Sequence, residues 1–173
     1  MKFAIARLAL ASVFAGACAA PVQAAPPTVE MTWMSIANWY FKIGDQRIVM
    51  DGYITRLPEA LFTPSPTYAN DLYAYTKTPA GVDLASIGKV KEAMLGSDKL
   101  DLLLVGHSHW DHSWDTPAWA RLTGAPMVGG ASSCMQAAAQ GVPAAQCRSV
   151  SGGERFELGN GVVMRVVRWN HSG

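Results

Sequence analysis

The feature that most constrains this chain is a short apolar run, Leu102-Leu103-Leu104-Val105. It passes through Gly106 directly into His107-Ser108-His109-Trp110-Asp111-His112. The chain has 4 histidines, and all but His171 lie in that window. An apolar run of this length between polar neighbours reads as a buried strand. Its histidines then emerge at a sheet edge, and open α/β sheets place ligands beyond the carboxyl ends of their strands. Neutral imidazole is the commonest protein ligand for zinc, and a carboxylate is a good partner. In extended backbone the two-residue spacing sends His107, His109 and Asp111 to one side. His112 then points elsewhere, which suits a ligand for a second, neighbouring ion. The competing reading, ordinary histidines in a polar loop, suits a lone histidine better than this spacing.

The pattern His-x-His-x-Asp-His after a buried strand resembles the metal-binding signature of the metallo-β-lactamase superfamily. The resemblance covers residues 31–173. It implies an α/β fold, the metallo-β-lactamase-like αββα sandwich, with the N-terminal αβ half present and the metals at one edge of the sheets. It further implies that His107, His109 and His171 hold a first zinc, and that Asp111 and His112 hold a second. Asp51, in Val49-Met50-Asp51-Gly52, matches the family's aspartate at the end of an early strand, which supports the metal loop from behind. A turn-forming aspartate is the alternative there. The implied activity is that of a zinc-dependent hydrolase acting on an ester, lactone or amide type bond of a small molecule. Asp111 would be the catalytic residue, orienting the attacking hydroxide or accepting its proton. Zinc is preferred to iron because the oxygen-reducing di-iron relatives replace the second histidine with glutamate, and here it is His109.

The chain departs from the family pattern at its end. It stops at Gly173, whereas the family continues into a second αβ half with a further metal histidine and often a bridging aspartate. The expectation is therefore either a piece of a longer protein or an unusual half. A non-catalytic exported zinc-binding protein is the alternative function. A metal-dependent amidohydrolase barrel, which also begins from His-x-His, fails on length and on the extra Asp-His.

Composition narrows the partners. With 14 basic and 13 acidic residues, the charge is balanced and leaves no electrostatic footprint for nucleic acid. Residues 1–24 read as a secretory signal peptide: Lys2 and Arg7, the apolar run Leu8 to Ala20, then Val22-Gln23-Ala24 as the cleavage site. The mature protein would begin at Ala25 and form one domain over 25–173, in the periplasm or secreted. Ala15-Gly16-Ala17-Cys18 faintly resembles a lipobox, but it lacks the leucine. Cleavage removes Cys18 and leaves Cys134 and Cys147, which suit a disulfide in an oxidising compartment. Two buried thiols, or Cys147 as a metal ligand, are the other readings.

Along the rest of the chain, residues 29–43 read as one strand, with Gln46 to Met50 as its hairpin partner across Gly44-Asp45. Residues 53–81 hold 4 prolines and 4 tyrosines and read as a long ordered loop. Its aromatics would either wall a substrate or pin the loop to the body. Asp83 caps a helix carrying Leu84, Ile87, Val90 and Met94 at helical spacing. Thr116-Pro117 reads as the N-cap and first residue of another helix. Asp115 is open between supporting a ligating imidazole and starting that helix. Ala125 to Val128 reads as a strand and Ser132 to Gln140 as an Ala-rich helix ended by Gly141. Arg155 to Leu158 and Val162 to Trp169 flank the hairpin signal Gly159-Asn160-Gly161. The last of these strands would deliver His171.

Overall fold

A computed structural model describes residues 28–57 and 80–170. The chain builds a six-stranded sheet in sequential order from β1 (Val29–Trp33), β2 (Trp39–Ile43), β3 (Gln46–Met50), β4 (Leu102–Leu104), β5 (Met127–Gly129) and β6 (Cys147–Ser149). β1, β2 and β3 are antiparallel, while β3 to β6 run parallel. The parallel strands need crossovers, and helices supply them. α1 (Leu84–Leu95) precedes β4. α2 (Trp110–Ser113) and α3 (Thr116–Thr123) join β4 to β5, and α4 (Ala131–Ala139) leads from β5 towards β6. A separate hairpin, β7 (Arg155–Gly159) with β8 (Val162–Arg165), follows.

Alternation along the strands splits the core in two. Tyr40, Val49, Leu103 and Met127 face the helices, where they meet Ile87 and Leu95 of α1, Ala118 and Trp119 of α3, and Ala137 of α4. Ile48, Leu102 and Val128 face the other way and pack with Phe156, Leu158 and Met164 of the hairpin. Helices thus cover one face of the sheet and strands the other. This is the α/β arrangement expected of the N-terminal half of an αββα sandwich.

Several local expectations hold. The Gly44-Asp45 turn joins β2 to β3, and the Gly159-Asn160-Gly161 turn, with all three residues at positive φ, closes the second hairpin. Asp83 caps α1 by accepting the Ser86 amide at 2.9 Å. Cys134 and Cys147 form a disulfide, tying α4 to β6.

Others are corrected. Residues 29–43 are two strands, because the chain reverses at Ser35-Ile36, both at positive φ. Asn38, fully buried, holds the reversal by donating to the Ser35 carbonyl at 2.7 Å and accepting the Tyr53 amide at 2.7 Å. Thr116 is the first residue of α3, with Asp115 in the N-cap position, because the Thr116 hydroxyl is engaged elsewhere. The last strand ends at Arg165, not Trp169. Of the proline-rich loop, Tyr53 pins chain to body: it is buried and its ring meets that of Trp110 edge-on at 5.5 Å, while within the loop its hydroxyl accepts the Leu57 amide at 2.6 Å. Tyr68, Tyr73 and Tyr75 lie outside the described residues, as do residues 1–27 with Cys18. Among the described residues, no helix is long and apolar enough to cross a membrane.

Candidate metal centre

The site is assembled at the carboxyl ends of β3 and β4. The β3–β4 ladder continues one step past Met50, where the Asp51 amide donates to the Leu104 carbonyl at 2.7 Å. The backbone then turns sharply, with Asp51 at φ 65° and Gly52 at φ 71°. Glycine is required at the second position for two reasons. A side chain there would adopt a disfavoured left-handed backbone, and its Cβ would lie 2.9 Å from Trp119 Nε1. That indole instead donates to the Gly52 carbonyl at 2.9 Å. The Asp51 carbonyl accepts the Thr116 hydroxyl at 2.6 Å, which holds α3 against the same turn.

The turn buries the Asp51 carboxylate completely and aims it at the metal loop. It accepts the Gly106 amide at 2.6 Å and lies 2.7 Å from His112 Nδ1. A Cβ on Gly106 would approach the Asp51 carboxylate to 3.3 Å, so the loop starts with the residue that allows this closeness. Burial pushes the Asp51 carboxyl above its usual range, while the hydrogen bonds from Gly106 and His112 pull it back towards the ionised form. With Nδ1–H donated to Asp51, the lone pair of His112 is left on Nε2, the tautomer that suits a metal ligand.

The loop is extended only as far as His109, whose φ and ψ are −68° and 153°. At Trp110 it becomes α2, and this corrects the expectation of an extended run through Asp111. The His109 carbonyl begins that helix, accepting the Ser113 amide at 2.8 Å and the His112 amide at 3.1 Å. The helical turn brings Asp111 and His112 back over His107. One ligand atom each from His107, Asp111 and His112 all lie within 4.8 Å of one another. The His107 and His112 rings are 3.9 Å apart, and His112 Nε2 is 3.5 Å from the Asp111 carboxylate. His109 flanks this group, its ring 4.6 Å from that of His107. His171 lies outside the described residues.

Two imidazoles and a carboxylate, converging and each partly buried, are a donor set that fits a divalent transition metal, zinc among them. The helical turn places His112 beside His107 and Asp111, whereas extended backbone would have sent it away from them. Of the two roles open to Asp115 in the sequence alone, it takes that of starting the helix, its carbonyl accepting the Ala118 and Trp119 amides at 2.9 and 3.1 Å. It occupies the N-cap position of α3 without a side-chain cap bond. Its buried carboxylate instead accepts the amides of Ile54 and Thr55 and the Thr55 hydroxyl, each at 2.6 Å, fastening the segment that follows Asp51. Ser113 and Thr116 are the supports that the sequence reading missed. The Ser113 hydroxyl donates to the carbonyls of Ser108 and His109, at 3.1 and 2.9 Å, and Thr116 reaches both the Asp51 and His112 carbonyls. The helical repeat, which sets Ser113 four residues from His109 and Thr116 four from His112, was the local signal for them.

No protein-family model matches the chain. It is similar to a UPF0173 metal-dependent hydrolase of Cupriavidus necator, 35% identical over 156 residues, covering 80% of this chain and 44% of that protein. A UPF0173 metal-dependent hydrolase of Cupriavidus taiwanensis is 34% identical over 140 residues, covering 73% of this chain and 39% of the relative. One from Polynucleobacter asymbioticus is 31% identical over 125 residues, covering 72% and 35%. The chain thus spans less than half the length of these relatives. Among solved structures it is similar to Igni18, a metallo hydrolase from Ignicoccus hospitalis, with a TM-score of 0.44, 21% identity, and coverage of 75% of this chain and 42% of that one.

Proposed function

We propose that this chain carries the metal-binding part of a metal-dependent hydrolase of the metallo-β-lactamase superfamily, with zinc as its metal. The observation that carries the reading is the convergence of His107, Asp111 and His112 above a buried aspartate that sets the His112 tautomer. The names of the relatives, metal-dependent hydrolases, support the activity class. His107, His109, Asp111, His112 and His171 are the proposed metal ligands, shared between two ions in the full site. A zinc ion held there supplies Lewis acidity and brings the pKa of water down to about 7.

The chain's own residues do the rest. Asp51 keeps the His112 lone pair on Nε2, the nitrogen 3.5 Å from the Asp111 carboxylate. Asp111, partly exposed, is the proposed base beside the ligating imidazoles, placed to hold a proton from the attacking water. The proposed substrate is a small molecule with an ester, lactone or amide type bond, met in the periplasm after removal of residues 1–24. Intact mass of the exported protein tests the address, with Ala25 expected as the first residue.

The deciding experiment is elemental analysis of the signal-less protein purified without chelator, followed by turnover of ester, lactone and β-lactam probes. The proposal expects bound zinc and turnover that Asp111→Ala abolishes. Bound zinc with no turnover of any probe would favour the alternative, a non-catalytic zinc-binding protein. Folded protein without metal would refute the metal reading.

A further inference from the structure

The metal loop has a support that lies outside the loop and outside β3. Gln136, on α4, donates from Nε2 to the Ser108 carbonyl at 3.0 Å. Ser108 is the residue between His107 and His109, so its peptide orientation sets how the two imidazoles leave the backbone. The same carbonyl accepts the Ser113 hydroxyl at 3.1 Å, which is a contact made within the loop. Gln136 provides a tether from a different element.

α4 is built as a lever for that contact. At about 100° per residue, Ser133 and Ala137 share one helix face, with Cys134 on one flank of it and Gln136 on the other. Ser133 and Ala137 are both buried. The helix sits close to the sheet because Gly129, at the end of β5, has no side chain. A Cβ there would meet Val105 at 3.1 Å and Ser133 at 3.2 Å. On one flank Cys134 is bonded to Cys147 of β6. On the other, Gln136 reaches the metal loop. A rigid helix with one flank stapled to the sheet holds the opposite flank at a fixed distance from Ser108.

We infer that Gln136 is a positioning residue for the metal ligands His107 and His109, and that the Cys134–Cys147 bond acts on the metal site through it. The inference rests on the metal reading above. It makes metal affinity depend on the redox state of the cysteine pair: a dithiol reductant that converts the disulfide to two thiols is itself oxidised, and α4 loses its staple to β6.

The test is a set of zinc competition titrations against a chromophoric chelator, using the full chain. Gln136→Met keeps the length and removes the donor at an exposed position. It is expected to weaken zinc binding about threefold to tenfold, the effect of one net hydrogen bond. The visible spectrum of the cobalt(II)-loaded protein should shift as the ligand geometry relaxes, while the metal-free protein stays folded and melts only a few degrees lower, about the loss of one exposed hydrogen bond. Cys134→Ala/Cys147→Ala is expected to weaken zinc binding to a similar degree, and adding Gln136→Met to it should cost little more. Losses that simply add would refute the claim that the disulfide acts through Gln136. Zinc affinity and cobalt spectrum of Gln136→Met identical to the parent's would overturn the positioning role. A parent that binds no zinc would overturn the metal reading and this inference with it, so the two failures are distinguishable.

Discussion

Replacing Asp51 by asparagine tests the tautomer argument with the least change of shape. The side chain is fully buried and makes two contacts, the Gly106 amide at 2.6 Å and His112 Nδ1 at 2.7 Å. In Asp51→Asn the new side chain can still accept from Gly106 through its amide oxygen. Its NH2 group then faces His112, where a carboxylate oxygen had accepted a proton. Two donors at such a distance repel, so the imidazole moves its proton to Nε2 and accepts through Nδ1. That relieves the contact in the metal-free protein, which is expected to melt near the parent's temperature, helped by the loss of a carboxyl that burial already disfavours in its charged form. It also places a proton on the nitrogen that would ligate. Removing such an orienting partner typically lowers metal affinity about 10-fold to 100-fold, about 1.4 to 2.7 kcal/mol. The assay is zinc competition titration of the parent and Asp51→Asn side by side, with melts of both in the metal-free form. Equal zinc affinity in the two proteins would refute the reasoning that Asp51 sets the His112 tautomer.

The remaining predictions concern the frame around the site. Breaking the Cys134–Cys147 bond, which spans 13 residues, is expected to lower stability by about 3 kcal/mol through the added freedom of the unfolded chain; urea unfolding of the double alanine variant measures it. Gly52→Ala should cost roughly 2–4 kcal/mol, from left-handed strain and the clash with Trp119, seen as a lower urea midpoint. Gly88→Ala is expected to do the opposite, since a Cβ in the middle of α1 meets nothing within 4 Å, with a gain of about 0.5–1 kcal/mol. Hydrogen bonds from the Ser86 side chain and amide lower the Asp83 carboxyl below its usual range. Its stabilising effect is therefore complete above the ordinary Asp value of about 3.9 and is lost as pH falls through the lowered native value. Melts of parent and Asp83→Ala should differ at neutral pH and converge in strong acid.

Local chemistry made much of this protein legible from its residues alone. The strand Leu102 to Leu104, the caps and turns at Asp83, Gly44-Asp45 and Asn160-Gly161, and the histidine cluster all follow from neighbours within a few positions, so periodicity and turn preference sufficed. The donor types of the candidate site were legible for the same reason, since imidazole and carboxylate declare their chemistry without a fold. The geometry of the cluster was not. Whether His112 joins His107 depends on a single helical turn starting at Trp110, and so short a helix carries too little pattern to announce itself. Nor could the sequence separate the roles of Asp51, Asp111 and Asp115. Asp51 reaches His112 across 61 positions, and Asp115 reaches Ile54 across 61 in the other direction. Gln136, read only as part of an Ala-rich helix, meets Ser108 across 28. Such pairings arise when sheet register and helix packing bring distant backbone together, and the cost of burying a carboxylate or a carbonyl unpaired then selects the partner. Residue type thus determined what the site can bind, and the tertiary structure decided which residues hold it in place.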